Sequence, residues 1–118
     1  MSEKLNKNVT VIILAAGESK RFKEDKIFFD INGLSVAEKT LRTINLLESL
    51  DSILIVCSEV NKSNFENLLR KPSYIDMKID IVIGSDTRAG SLINGLKFLK
   101  QKNIKSDYII VQDIARPF

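Results

Sequence analysis

Histidine and tryptophan are absent from this 118-residue sequence, cysteine occurs once and proline twice. Without histidine, Ser-His-Asp, Cys-His and histidine–metal chemistries are excluded within this chain. Any catalysis must therefore draw on Lys, Arg, Asp, Glu, hydroxyls, backbone amides or a metal ion. The single cysteine, Cys57, forms neither an internal disulfide nor a thiolate cluster, which points to a reducing, cytoplasmic setting. It ends the apolar run Ile53-Leu54-Ile55-Val56 and is expected to be a small core residue. No dense basic block exists either: 18 Lys and Arg against 15 acidic residues leave a net charge of +3, spread along the chain. That balance, without tryptophan, argues against a nucleic-acid partner and suits a small anionic substrate. The polar opening Met1 to Asn8 precedes an apolar run that stops at Gly17. The run is too short for a membrane span and has no signal-peptide cleavage pattern, so neither membrane nor export is expected.

What is present is an ordinary globular composition, 44% hydrophobic and 28% charged, in a chain long enough for one core. Val9 to Ala16 is β-branched and apolar on both faces, as in a central parallel strand. Phe28 to Ile31 suggests a short extended piece before the turn Asn32-Gly33. A helix is predicted from Ser35 to Leu50, where Val36, Thr40, Leu41, Ile44, Leu47 and Leu50 recur at helical spacing and Ser35 with Glu38 forms a capping box. Further strands are predicted over 52–57, 78–83 and 108–111. Helices are predicted over 61–69, closed by Lys71-Pro72, and over 87–100, with Leu92, Leu96 and Leu99 toward the sheet. Strands alternating with helices, with no linker or repeat, predict one α/β domain over residues 1–118: a parallel sheet with helices on both faces. Ligands of such sheets bind beyond the carboxyl ends of the strands. Chemistry is therefore sought in the segments after the first, third and fourth strands.

In the first of these, Ala15-Ala16-Gly17 lets the backbone lie close to a flat ligand, and Lys20, Arg21 and Lys26 add cations to an anion-binding turn. A small-residue turn with solvated basic side chains is the competing reading. Neither a dinucleotide fingerprint nor a Walker A loop is present, because the required glycines are missing. The second segment is Gly84-Ser85-Asp86-Thr87-Arg88-Ala89-Gly90-Ser91-Leu92-Ile93-Asn94-Gly95-Leu96. The third is Val111-Gln112-Asp113-Ile114-Ala115-Arg116-Pro117-Phe118.

The three segments together, in this order and each after a predicted strand, resemble the motifs of the 2-C-methyl-D-erythritol 4-phosphate cytidylyltransferases and their ribitol-phosphate relatives. The resemblance implies a Rossmann-like fold of the nucleotide-diphospho-sugar transferase type. It also implies transfer of CMP from CTP to a polyol phosphate with release of pyrophosphate, in isoprenoid precursor biosynthesis. Methylerythritol phosphate is the first choice of acceptor and ribitol 5-phosphate the second, while a non-catalytic nucleotide-binding module is the alternative class. By the same resemblance, Ala15, Ala16, Gly17, Ser85, Asp86, Ser91 and Ile114 fall on the cytidine side. Arg21 and Lys26 fall on the catalytic pair at the α-phosphate, and Arg116 on the acceptor phosphate. Asp113 falls near a magnesium ion. Taken singly, Ser91 is as well explained as a helix-entry hydroxyl, Asp113 as a strand-end carboxylate capping an amide, and Arg116 as a solvated surface residue.

The match departs from the family at several points. Ser85 replaces a usual glycine, Gln112 a usual histidine and Ile114 a small residue, so that Ile114 is expected to crowd the nucleotide. The loop before Lys26 is shorter than in many members and has Asp25 where proline is common. Family members also continue well past Ala-Arg-Pro-Phe, supplying more strands, a homodimer-building arm and further acceptor contacts. A truncated form lacking that carboxyl-terminal part is therefore expected.

Overall fold

Val9–Ala15 forms strand β1, whose only polar side chain, Thr10, is buried with the apolar ones. A strand apolar on both faces is stable only where both are covered, the setting of a parallel sheet between helix layers. The computed structural model describes residues 8–15, 28 and 35–114. Among them β1 is followed by α1 (Val36–Ile44), β2 (Leu50–Cys57), α2 (Glu59–Leu68), β3 (Ile79–Ile83), α3 (Arg88–Gln101) and β4 (Tyr108–Asp113). The strands form one sheet in the order β3-β2-β1-β4, with every pairing parallel. This is the expected Rossmann-like arrangement.

Alternate residues of the sheet feed two cores. On one face Val11, Ile13, Ile53 and Ile55 pack against Ala37, Leu41 and Ile44 of α1 and Phe65 and Leu68 of α2. On the other, Ile12, Leu14, Leu54 and Val56 meet Leu99 of α3, with Leu92 and Phe98 beside it. The crossovers through α1 and α2 step one way across the sheet and the crossover through α3 steps back past β1. Right-handed connections in opposite directions put their helices on opposite faces. The reversal creates a topological switch point between β1 and β4. Among the described residues no helix is long and apolar enough to cross a membrane.

Helix starts follow the local sequence. Ser35, Ser58 and Thr87 are the N-caps, each accepting a hydrogen bond from the backbone N–H three residues on. The capping box at Ser35 is half formed, because the Glu38 carboxylate is taken by Lys71 Nζ at 2.7 Å. Cys57 is fully buried in the α1/α2-side core, as expected of a small core residue.

Three differences from the sequence expectation are more than a shift of a residue or two at an element's start or bear on the carboxyl edge. α1 ends at Ile44, not Leu50, because Leu50 is drawn into the ladder opposite Val9 and opens β2; Leu46 and Leu47 are left exposed. Leu96 is exposed on the flank of α3 although its spacing suits the sheet side. The helix instead turns Ser91, Gly95 and Leu99 inward. A Cβ on Gly95 would stand 3.2 Å from Val56 Cγ2, so the missing side chain is what admits so close an approach. β4 runs on to Asp113, pairing Gln112 with Ile13 and Asp113 with Leu14. Of the extended piece predicted at Phe28 to Ile31, only Phe28 is described, its ring edge-on to Phe65 at 4.9 Å; residues 29–31 and the turn Asn32-Gly33 lie outside the described residues.

Candidate active site

Strand register brings the three motif-bearing segments to one edge. Ala15 is level with Cys57, Cys57 with Ile83, and Leu14 with Asp113. The ladder continues one step as each chain leaves the sheet: Gly84 N–H donates to the Cys57 carbonyl at 2.9 Å and Ile114 N–H to the Leu14 carbonyl at 3.1 Å. The segments after β1, β3 and β4 therefore all depart from the carboxyl edge, with the switch point between the first and third. Ala15 itself is buried at the end of β1. Ala16, Gly17, Arg21, Lys26 and Arg116 lie outside the described residues.

The loop from β3 into α3 is held by its own hydroxyls. Ser91 is fully buried, and its Oγ accepts from Ser85 N–H at 3.0 Å while donating to the Ser85 carbonyl at 3.2 Å. Ser85 Oγ in turn accepts from Thr87 N–H at 3.3 Å and donates to the Thr87 carbonyl at 3.2 Å. Thr87 Oγ1 caps the helix by accepting from Gly90 N–H at 3.0 Å. A Cβ on Gly90 would fall 2.1 Å from Ser85 Oγ, so the glycine is what lets the loop fold down onto the first turn of α3. In this arrangement Ser91 shapes the backbone at Ser85, the helix-entry role weighed for it above, while Asp86 is exposed at the tip.

Asp113 ends β4, and its Oδ1 accepts from Arg88 Nε at 3.1 Å. Arg88 is the first residue of α3, so the contact joins the helix that enters from β3 to the strand beyond β1. It crosses the switch point. Ile114, expected beside the nucleotide, has its side chain packed in the α1/α2-side core, and its carbonyl accepts from the buried Thr40 hydroxyl at 3.3 Å. Bulk at this position is absorbed by the core.

The family model of 2-C-methyl-D-erythritol 4-phosphate cytidylyltransferase matches residues 9–118. The chain belongs to this cytidylyltransferase family. Among curated relatives, the 2-C-methyl-D-erythritol 4-phosphate cytidylyltransferase of Thermotoga neapolitana is 35% identical over 109 residues, 91% of this chain and 46% of the relative. That of Dictyoglomus thermophilum is 29% identical over 107 residues, 91% of this chain and 45% of the relative. Among solved structures, 4-diphosphocytidyl-2C-methyl-D-erythritol synthase from Anaerococcus prevotii superposes with a TM-score of 0.75 at 30% identity, over 95% of this chain and 45% of that one. A second synthase structure, at 22% identity and a TM-score of 0.70, bears on the fold alone. The chain thus spans somewhat less than half the length of these cytidylyltransferases.

Set in the cytidylyltransferase family, the carboxyl edge is the place to look for a metal. No group of three or more Asp, Glu, His or Cys gathers among the described residues. Magnesium needs none: it is commonly held by one or two carboxylates together with substrate phosphates. Asp113 at the end of β4, hydrogen-bonded to Arg88, and exposed Asp86 in the loop after β3 are carboxylates carried by these segments. Two clefts of about 240 and 250 Å³ lie elsewhere, one between α1 and α2 around Glu38 and Lys71, the other around Asp51, Ser52 and Asp76. Neither touches the motif-bearing segments, so topology outweighs cavity size in locating the site. Arg88 and Gly90, both inside the second motif, have roles in the loop that the sequence pattern alone does not assign. Their signal was their place between strand end and helix start.

Proposed function

We propose that this chain is the nucleotide-binding portion of an enzyme that transfers CMP from CTP to 2-C-methyl-D-erythritol 4-phosphate, releasing pyrophosphate. The observation that supports this best is the convergence of the segments after β1, β3 and β4 on one edge, at the switch point, in a chain of this family. Methylerythritol phosphate is preferred to ribitol 5-phosphate because the relatives reported above are named for the former.

In the proposed reaction an oxygen of the acceptor phosphate attacks the α-phosphorus of CTP, and the bond to the pyrophosphate oxygen breaks. Two anions are brought together and a third is expelled, so catalysis is mainly positioning and charge neutralisation, for which no histidine is required. Arg21 and Lys26 would offset charge at the α-phosphate. Ala15, Ala16, Gly17 and the Ser85–Asp86 turn, shaped from beneath by Ser91, would hold cytosine and ribose. Arg116 would meet the acceptor phosphate, and Asp113 would hold magnesium. When bound, that ion supplies Lewis-acid neutralisation of phosphate oxygens. A homodimer in the longer form and a cytoplasmic setting complete the proposal.

Calorimetry of the chain with CTP, ATP and GTP tests the nucleotide half of the proposal. CTP should bind best, because a pocket of small residues suits a pyrimidine, and equal affinities would remove the cytidylyl assignment. Pyrophosphate release with each acceptor tests the rest. The 118-residue chain should turn over poorly. In a version extended to the length of the relatives, Arg21→Ala and Lys26→Ala should each slow single-turnover release roughly 100- to 1000-fold while changing CTP affinity far less. Loss of affinity with a preserved rate would make both residues nucleotide ligands instead.

A further inference from the structure

The carboxyl end of β3 is tied to α3 by a side chain. Gly84 N–H donates to the Cys57 carbonyl and Ile53 N–H to the Lys78 carbonyl, each at 2.9 Å. In a parallel ladder alternate residues turn both backbone groups toward the same neighbour, so Lys78, Gly84 and the even-numbered residues between them face β2. Ile83 therefore turns its carbonyl away from β2. That carbonyl accepts from Asn94 Nδ2 at 3.2 Å. Asn94 is half-buried, three residues after Ser91 and next to Gly95, on the side of α3 turned to the sheet. Gly95 brings the helix so close that a Cβ there would stand 3.2 Å from Val56 Cγ2, and at that approach a side chain as short as asparagine reaches the strand end. One turn earlier, Ser91 Oγ holds both backbone groups of Ser85. Ile83 and Ser85 are thus gripped by the same helix on either side of Gly84, where the chain leaves the sheet.

We infer that Asn94 is a positioning residue for the β3–α3 loop. By tying the last carbonyl of β3 to α3, it fixes the angle at which Gly84-Ser85-Asp86 leaves the sheet, and so the surface offered to a cytidine nucleotide. A carbonyl only accepts, so the contact requires an N–H at this place, and an aspartate of the same size offers none. The nucleotide role rests on the function proposed above, whereas the placement of the loop rests on the hydrogen bonds themselves.

Three variants separate positioning from plain stabilisation. Asn94→Ala removes the donor. Asn94→Asp keeps the size but sets a carboxylate oxygen against the Ile83 carbonyl, so its effects should be the larger. Leu99→Val trims the core further along the same helix and serves as the control for stability. Amide hydrogen exchange of the full chain is followed at Ser85, with Ile55 in the middle of β2 as the reference. Asn94→Ala should speed exchange at Ser85 relative to Ile55 roughly two- to tenfold, and should weaken CTP binding in calorimetry by a similar factor. Leu99→Val should leave both the relative exchange at Ser85 and the CTP affinity at the parent values. Unchanged relative exchange in both Asn94 variants, or unchanged CTP affinity beside a parent that binds CTP, overturns the inference alone. A parent chain that does not bind CTP overturns the proposed function and the nucleotide role of Asn94 with it; faster exchange at Ser85 would then sustain the loop placement by itself.

Discussion

β2 and β4 flank the same strand, run parallel to it and are built of similar residues, yet they live in different surroundings. From Ser52 to Cys57, β2 is buried throughout, with a strand on each side and helices over both faces. β4 has a strand partner only at β1 among the described residues, and Tyr108, Ile109 and Ile110 are 55, 44 and 39% exposed. Apolar composition thus specifies a strand but not its burial, which depends on what comes to lie beside it. The two flanks also divide their tasks. The β2 side holds the fold, while the β4 side ends in the carboxylate that faces the switch point.

The sharpest way to break this comparison is to truncate an isoleucine on each strand. Ile55 is fully buried, so Ile55→Ala should cost about 2–5 kcal/mol. Ile110→Ala removes a partly solvated side chain and should cost about 1 kcal/mol or less. Urea unfolding of both variants checks the difference. Equal losses would mean that β4 is covered in solution.

Next in size is the packing of the β3–α3 loop, which hinges on Gly90. Its missing Cβ makes room for Ser85 Oγ. Gly90→Ala should cost about 1–3 kcal/mol through overpacking, despite the helix propensity that alanine adds. Ser85→Gly removes the clashing atom, so the double variant should recover most of that loss. A double-mutant cycle by thermal unfolding that showed simple additivity would refute the coupling. Ser91→Ala should cost less, about 1–2 kcal/mol, because it leaves the Ser85 amide and carbonyl without their shared partner. It should also weaken CTP binding by loosening the Ser85 backbone; calorimetry showing unchanged affinity would remove Ser91 from the nucleotide side.

Local features were legible in the sequence, and features set by distant neighbours were not. The β-branched runs and the capping hydroxyl of Ser35 announce their elements because the relevant bonds span only a few residues. The end of α1 was hidden, since Leu47 and Leu50 prolong the helical spacing and only pairing with Val9 claims Leu50 for the sheet. The tilt of α3 was hidden too: nothing near Leu96 says that Gly95 will be pressed onto Val56. At the site, the motif order located the loops, yet the sequence did not tell whether the Ser91 hydroxyl would face a ligand or its own loop. Nor did it pair Arg88 with Asp113, which are 25 residues apart and meet only because the crossover returns past β1.

The smallest effect on the folded chain should come from placing a charge on the outer strand. Ile110→Lys should alter unfolding stability by no more than about 0.5 kcal/mol, since an exposed lysine remains solvated. Its effect should appear between molecules instead. β4 is an edge strand among the described residues, with a run of exposed apolar side chains and no lysine or proline from Tyr108 to Asp113. Such edges invite pairing with another chain, and lysine is a common device against it. If two copies pair antiparallel about Ile110, Ile109 of one stands opposite Val111 of the other, and an apolar row forms on each face. Lysine at the centre would set two like charges directly opposite each other, which is unfavourable in any cross-strand pair. Sedimentation velocity over a range of concentrations should therefore show association in the parent chain and its loss in Ile110→Lys. A parent chain that stays monomeric would show that exposure along β4 is tolerated without a partner, and the contrast with β2 would then concern burial alone.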